Sequence, residues 1–397
     1  MPNYAPAAAP VTDPAIAAIF QWLVDGAPGT TNALEVVGQM GPELIAAGVP
    51  VDRIEAFVRT LHPHIVGRSF KWYPGGKVQV RENSYEHLQS TEFLSSPVAA
   101  VFHTGQPVRR KLSATELDPD YVVLHRFAGE GYTDFFAGPL RFLSGQVHAI
   151  TFGTRRPEGF SDSDIAAFNE LLRPLSRLAE ILALTRTAVN LLNTYVGHDA
   201  GERIMQGRIQ RGDTDSMQAV IWFSDLRGFT AMSSQLEPSA IIRTLNELFD
   251  CQVPAIENNG GQVLKFIGDG LLAIFPLGAE GAGPQCDKAL AAAHQSFAAL
   301  QTLNASRTAK AEKPIQFGLA LHLGEVAYGN IGGSGRLDFT CIGPAVNLAA
   351  RLESLTSTLG RSLVVSAEFA AASSQPLQSI GEFALKGVPG SVEVFAP

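Results

Sequence analysis

Apolar and polar residues alternate along this chain in two rhythms, one helical and one strand-like. Asp13-Pro14 opens the first helical pattern, with an N-cap carboxylate followed by proline at the first helical position. The pattern runs over Pro14–Val24, and a second covers residues 31–47. Short β-type runs bounded by Gly and Pro come next, at residues 54–60, 69–73, 78–80, 121–127, 133–139 and 146–152. Helices, then strands, then a closing helix predict an α+β domain over residues 13–165, behind Ala/Pro-rich residues 1–12 that are expected to be flexible.

The rhythm changes after Ser161. Phe168, Leu171, Leu175, Leu178, Leu182, Val189 and Leu192 recur at three- and four-residue steps, with Thr185 the one polar member of the series. Pro174 should kink this helix or start a new one. The stripe suits either a helix packed on its own domain or a parallel dimer helix, and it predicts a helical linker over residues 166–212. Gly-punctuated, charged residues 197–215 place a domain boundary near 212.

Downstream, strands and helices alternate. Residues 219–223 (AVIWF) read as a buried strand, Pro238–Asn258 as a helix ended by Gly260-Gly261, and Gln262–Ile267 and 271–275 as strands around the turn Gly268-Asp269-Gly270. A helix over 287–303 and strands at 316–323, 325–331 and 337–342 follow. Pro344–Thr358 reads as a helix, and late strands fall at 363–365, 382–385 and 392–395. This β-α-β-β-α-β order predicts a ferredoxin-like or palm-type sheet over residues 213–397.

Composition narrows the class. The 397 residues are 46% hydrophobic and 17% charged, which is globular and long enough for two to three domains. A net charge of −8 argues against a protein that coats nucleic acid. Cys251, Cys286 and Cys341 are too scattered for a disulfide framework or a zinc site and read as buried thiols. No window of about 18 uncharged apolar residues occurs, and the N-terminal stretch lacks a basic region before Asp13. The expectation is a cytoplasmic protein with no membrane and no nucleic-acid partner.

Two carboxylates carry the chemistry. Asp225 ends the strand AVIWFS, and Asp269 sits in the hairpin turn of KFIGDG. A palm-type sheet would set them side by side, where two carboxylates about 4 Å apart repel by about 4 kcal/mol at an effective dielectric near 20. A proton or a cation must relieve that repulsion. Oxygen ligands without His or Cys favour Mg²⁺ or Mn²⁺, and two such ions about 3.5–4 Å apart form the clamp used for in-line phosphoryl chemistry. Taken singly, each residue could be a turn or cap residue. Asn347 and Arg351 share one helix face, where the guanidinium fork suits a phosphate and the amide a sugar. Lys265 precedes Asp269 by four residues, and Lys386 precedes a glycine at a strand end.

FSDLRGFT (223–230), LKFIGDG (264–270), RLDFTCIGPAVNLAARLE (336–353) and LKG (385–387) together resemble the class III nucleotide cyclase domain, over about residues 213–397. The resemblance implies that Asp225, Asp269 and the Leu226 carbonyl hold two Mg²⁺ or Mn²⁺ ions. It implies that the ribose 3′-oxygen of a nucleoside triphosphate attacks the α-phosphorus and expels pyrophosphate. Arg351 would stabilise the transition state, Asn347 orient the ribose, and Lys386 or Arg336 bind the terminal phosphates. Lys265 and Thr340 would read the base, as in a Thr-bearing adenylate cyclase subclass.

A lysine needs an acceptor, which adenine N1 provides and guanine N1–H does not. The implied reaction is therefore ATP to cyclic AMP. The alternatives are a cyclase preferring GTP or a pyrimidine nucleotide, and a catalytically silent cyclase-like regulatory module.

The family site lies between two chains. The expected division gives Asp225, Asp269 and Lys265 to one protomer and Thr340, Asn347 and Arg351 to the other, in a head-to-tail homodimer, which favours the dimer-helix reading of the linker. By element order the N-terminal domain resembles a GAF-like sensor with a possible small-molecule ligand. His62, His64, His125 and His148 form no ligand set by spacing, and Trp72, Tyr73, Phe135 and Phe136 are expected to fill core.

Overall fold

Asp13 and Asn32 set where the chain first becomes helical. The computed structural model describes residues 13–63, 65–112 and 121–397, so the N-terminal stretch 1–12 and His64 lie outside the described residues. The Asp13 carboxylate accepts the Ala15 N–H at 2.8 Å and starts helix α1 (Pro14–Val24). Asn32 accepts the Glu35 N–H at 3.1 Å and starts α2 (Ala33–Ala46). The chain divides after Leu191 into two units.

In the N-terminal unit, β1 (Arg53–Arg59), β2 (Gly67–Trp72), β3 (Gln79–Asn83), β4 (Val108–Lys111), β5 (Asp134–Arg141) and β6 (Val147–Thr154) form one antiparallel sheet. Its order is β3-β2-β1-β6-β5-β4. Helices α3 (Thr91–Leu94) and α4 (Pro97–Thr104) follow β3, and α5 (Val122–Gly129) follows β4.

The strand expected at 121–127 is therefore a helix. Val122-Val123 has strand character, but Leu124 and Phe127, three residues apart, are the pair that burial selects. Trp72, Phe135 and Phe136 are buried in core as expected, and Tyr73 is half-buried. His148 is buried, with its Nδ1 accepting the Arg59 N–H at 3.0 Å, and burial pushes it down to about 4.

Helix α6 (Asp162–Val196) is one helix with Pro174 inside it, so the proline does not start a new helix. Leu171, Leu172 and Leu175 around the proline are buried in the N-terminal core, which holds that turn despite the missing N–H. Phe168 sits at the centre of an aromatic stack, with ring centroids 4.1 Å from Phe152, 5.0 Å from Phe160 and 5.5 Å from Phe136. Phe168, Leu171, Leu175 and Leu178 are core residues, and Leu182 packs against them. This half of the stripe thus packs on its own domain. The exposed large hydrophobic residues on the same helix are Ile181, Leu184, Leu191 and Tyr195.

The C-terminal unit opens with α7 (His198–Met205), β7 (Thr214–Leu226), α8 (Phe229–Ser233) and α9 (Pro238–Asn258). The hairpin β8 (Gln262–Ile267) and β9 (Gly270–Pro276) leads to α10 (Ala282–Ala309), β10 (Phe317–Gly333) and β11 (Arg336–Ile342). The unit closes with α11 (Pro344–Thr358), β12 (Leu363–Ser366), α12 (Ala367–Ala372), β13 (Gln378–Ala384) and β14 (Ser391–Ala396). The sheet order is β13-β14-β12-β10-β7-β9-β8, with β11 folded back on β10.

The two strands expected at 316–323 and 325–331 are the single strand β10. Gly324 pairs with Ala219 without interruption. A Cβ there would lie 2.7 Å from Ala345 Cβ, so this glycine serves close packing by α11 rather than a turn. All three cysteines are buried. Among the described residues no helix is long and apolar enough to cross a membrane.

Helix α7 lies inside the expected 166–212 segment and packs on the C-terminal sheet. Ala200 shares a buried cluster with Leu264, Tyr328 and Phe339. Arg203 pairs with Asp199 at 2.8 Å and with Asp215 at 2.6 Å.

Candidate active site

Strand register brings the two aspartates together. Ser224 pairs with Leu271 across β7 and β9, and Ile267 pairs with Gly270 across β8 and β9. Asp225 therefore lies one residue beyond the last β7–β9 pair, beside the Gly268-Asp269 turn. Gly268 at φ +63° makes that turn tight. A Cβ on Gly270 would sit 2.8 Å from Ser224 O and 3.2 Å from Asp225 Oδ1, so the glycine gives the aspartate its space.

Burial and the neighbouring Asp269 push the Asp225 carboxyl up from its ordinary 3.8 to about 6. Glu353 on α11 is a third carboxyl here. It is buried, and desolvation and the charge of Asp225 raise it from 4.5 to about 7. Thr356 Oγ1 donates to Glu353 Oε1 at 3.3 Å. Both Thr356 and Glu353 press on Gly318, which pairs with Asp225 across β10 and β7. Pattern reading missed Glu353 because it follows Arg351 by two residues and so turns to nearly the opposite face of α11.

Two half-buried carboxylates with a third behind them fit a divalent cation through the hardness of their oxygen donors and through the repulsion that a cation would relieve. Among the described residues no cluster of three or more His, Cys, Asp or Glu side chains is arranged to hold an ion. Asp225, Asp269 and the Leu226 carbonyl would thus supply part of a coordination shell, with phosphate oxygens supplying the rest.

Both raised carboxyls bind protons in the folded state that the unfolded state releases. Without metal, the stability they contribute is complete below about pH 4. It is lost as pH rises through about 6 for Asp225 and about 7 for Glu353. In chelator, the C-terminal unit should therefore melt at a lower temperature at pH 8 than at pH 5, and Asp225→Asn should reduce the difference. A melting midpoint that climbs over that range counts against the pairing.

Within one chain Lys265 reaches the strand that carries Thr340. Lys265 Nζ bonds Asp338 Oδ2 at 2.7 Å, and Asp338 and Thr340 lie two residues apart on β11, hence on one face. The positive charge of Lys265 also offsets part of the burial that pushes the Cys341 thiol up to about 11. The expected division set Lys265 and Thr340 on different protomers; in this chain β11 folds back on β10 and comes up beside β8, so the lysine bonds a residue of the strand that carries Thr340. Asp338 also escaped the sequence reading, which set Lys265 with Thr340 and not with Asp338. Thr340 is 4% exposed, and among the described residues its hydroxyl has no hydrogen-bond partner.

Asn347 and Arg351 project from the exposed face of α11, opposite buried Ala345, Ala349 and Leu352. Lys386, in the turn after β13, and Arg336, at the start of β11, are also exposed. Among the described residues no hydrogen bond or ion pair joins any of these four to Asp225 or Asp269.

Residues 213–396 match the model of the adenylate and guanylate cyclase catalytic domain family. Over 161 residues the chain is 37% identical to the adenylate cyclase of Anabaena cylindrica, covering 40% of this chain and 31% of that protein. Over 270 residues it is 27% identical to an uncharacterized protein of Mycobacterium tuberculosis (strain CDC 1551 / Oshkosh), covering 66% of this chain and 46% of that one. The chain thus spans less than half the length of these curated relatives. Among solved structures, the adenylyl cyclase CyaB from P. aeruginosa aligns over 46% of this chain and 94% of its own, with 28% identity and a TM-score of 0.40.

Proposed function

We propose that residues 213–397 convert ATP to 3′,5′-cyclic AMP and pyrophosphate at sites shared by two copies of the chain in a head-to-tail homodimer. Residues 13–165 would act as a GAF-like sensor, and the 166–212 segment would pass its state on. The observation that carries this reading is the Asp225–Asp269 pair in a unit whose Asn347 and Arg351 face outward with no partner among the described residues. One chain would supply the acidic half of a site and its partner the cationic half.

Mg²⁺ or Mn²⁺, held by Asp225, Asp269 and the Leu226 carbonyl, would neutralise triphosphate charge and acidify the ribose 3′-hydroxyl. Arg351 of the opposite chain would bind the α-phosphate oxygens as negative charge builds there. Asn347, one helical turn earlier, would hold the ribose so that its 3′-oxygen faces the α-phosphorus. Lys386 and Arg336 would take the β- and γ-phosphates as pyrophosphate departs.

Base choice would rest on Lys265 and Thr340. The Thr340 hydroxyl, buried without a partner, can accept from the adenine 6-amino group, and Lys265 can donate to adenine N1. Asp338 holds the lysine in position for this. The protomer that supplies Asn347 and Arg351 would then also supply the whole base site.

Purified protein with Mn²⁺ and each nucleoside triphosphate tests this, and ATP should be cyclised fastest. Lys265→Ala should shrink the preference for ATP over GTP by roughly one to two orders of magnitude, the worth of one buried unpaired polar group of about 1–3 kcal/mol. Faster cyclisation of GTP by the parent protein would overturn the base assignment, and no turnover with any nucleotide would leave a silent regulatory module.

A further inference from the structure

We infer that a cavity in the N-terminal unit, walled by β1, β2 and β3 and by helices α3 to α5, binds a small oxyanion through Arg53, Lys71, Arg81 and Arg126. The cavity measures about 90 Å³, which is room for roughly three waters at about 30 Å³ each. That space takes a small carboxylate or a phosphate, not a nucleotide.

Charge in the cavity does not balance. Four cations line it, Arg53, Lys71, Arg81 and Arg126, against two carboxylates, Glu55 and Glu92. Both carboxylates are already engaged. Glu55 is bonded by Arg53 and lies 3.8 Å from Lys71, and Glu92 is bonded by Arg126 at 3.0 Å. Among the described residues Arg81 has no ion pair. With Glu130 also 3.8 Å from Arg126, one positive charge is left over in a protein whose net charge is −8.

Arg53 is the buried anchor. It is 4% exposed, its guanidinium lies 4.7 Å from the Phe127 ring centroid, and Nη1 donates to Thr151 Oγ1 at 3.1 Å. Its Nε is buried with no hydrogen-bond partner among the described residues. A donor left in that state costs the fold its desolvation energy, and a charged acceptor is the strongest way to recover it.

Lys71 supports the same reading. Burial, then the charge of Arg53, with Arg126 and Arg81 adding to it, holds its ammonium below the ordinary lysine range, as expected where cations converge without enough counter-charge. His87 is also held below its ordinary value, by burial and by Arg81, so it stays neutral and adds hydrogen bonding rather than charge. A water molecule could satisfy Arg53 Nε but would not balance the excess charge. On the far side Phe93 and Val98 offer an apolar wall for a short carbon body.

The test uses the full-length protein in chloride buffer at fixed ionic strength, titrated calorimetrically with succinate, inorganic phosphate and succinamide. One of the two anions should bind once per chain and raise the melting midpoint of the N-terminal unit, while uncharged succinamide should do neither. Tighter binding of succinate assigns a carboxylate ligand, and tighter binding of phosphate assigns a phosphate ligand.

Arg126→Gln and Arg81→Gln change exposed positions, so the fold should persist, and each should weaken the binding at least tenfold. Arg351→Ala, in the other unit, should leave it unchanged. The inference is overturned if neither anion binds, or if both glutamine variants bind as tightly as the parent.

Discussion

Arg351→Ala should lower the rate of ATP cyclisation by about 10³–10⁵-fold, the range seen where a single arginine neutralises phosphoryl transition-state charge. The side chain stands exposed on α11 with no ion pair among the described residues, so its loss removes no contact that holds the chain folded. Circular dichroism and melting midpoint should therefore match the parent. Asp225→Ala should be comparably inactive, for the different reason that the cation would lose half of its paired carboxylates.

Mixing the two inactive proteins separates a shared site from a self-contained one. Random exchange makes half of the dimers heterodimers, and a head-to-tail heterodimer places both defects in one site and leaves the other whole. About a quarter of the parent activity should return. A mixture that stays inactive while subunit exchange is demonstrated would count against the two-chain site.

The second large effect concerns Phe168. Its ring stacks on Phe152 at 4.1 Å and meets Phe136 and Phe160 within 5.5 Å, all of them buried. Phe168→Ala should cost about 3–5 kcal/mol, the usual range for removing a buried aromatic ring. That is a large part of the roughly 5–15 kcal/mol that holds a domain together.

Calorimetry should show the N-terminal transition moving far down in temperature while the C-terminal transition stays in place. Ile181→Glu, at an exposed position on the same helix, should leave both transitions of a dilute sample within about 0.5 kcal/mol of the parent. Equal effects of the two substitutions would show that the Phe168 stripe is not core.

These two residues also mark how far the sequence could be read. Phe168 and Ile181 both belong to an apolar helical rhythm, and rhythm alone does not say which stripe faces core and which faces outward. Spacing was sufficient for Asp225 and Asp269, because a strand end and a two-residue turn fix their own positions on adjacent strands. It was insufficient for Asp338 and Glu353, whose roles come from partners 73 residues away, in the case of Lys265, and across the sheet, in the case of Asp225.

Helix α5 was misread because Val122-Val123 outweighed the Leu124–Phe127 spacing, and β10 was split because Gly324 looked like punctuation when it is a packing notch for α11. The cavity around Arg53 left no trace in the pattern at all. Its acidic and basic residues come from three strands and two helices, each individually an unremarked charged position.

Helix α7 bears on where the catalytic part of this chain can be excised. Ala200 is inserted among Leu264, Tyr328 and Phe339, and Arg203 is fastened to Asp215. Cutting at 212, where composition shifts, would strip that cover and bare the Tyr328 ring to solvent. The shortest fragment that keeps the cluster sealed begins near Gly197, and a sluggish or insoluble piece beginning at 213 would report a lost lid rather than a lost regulator.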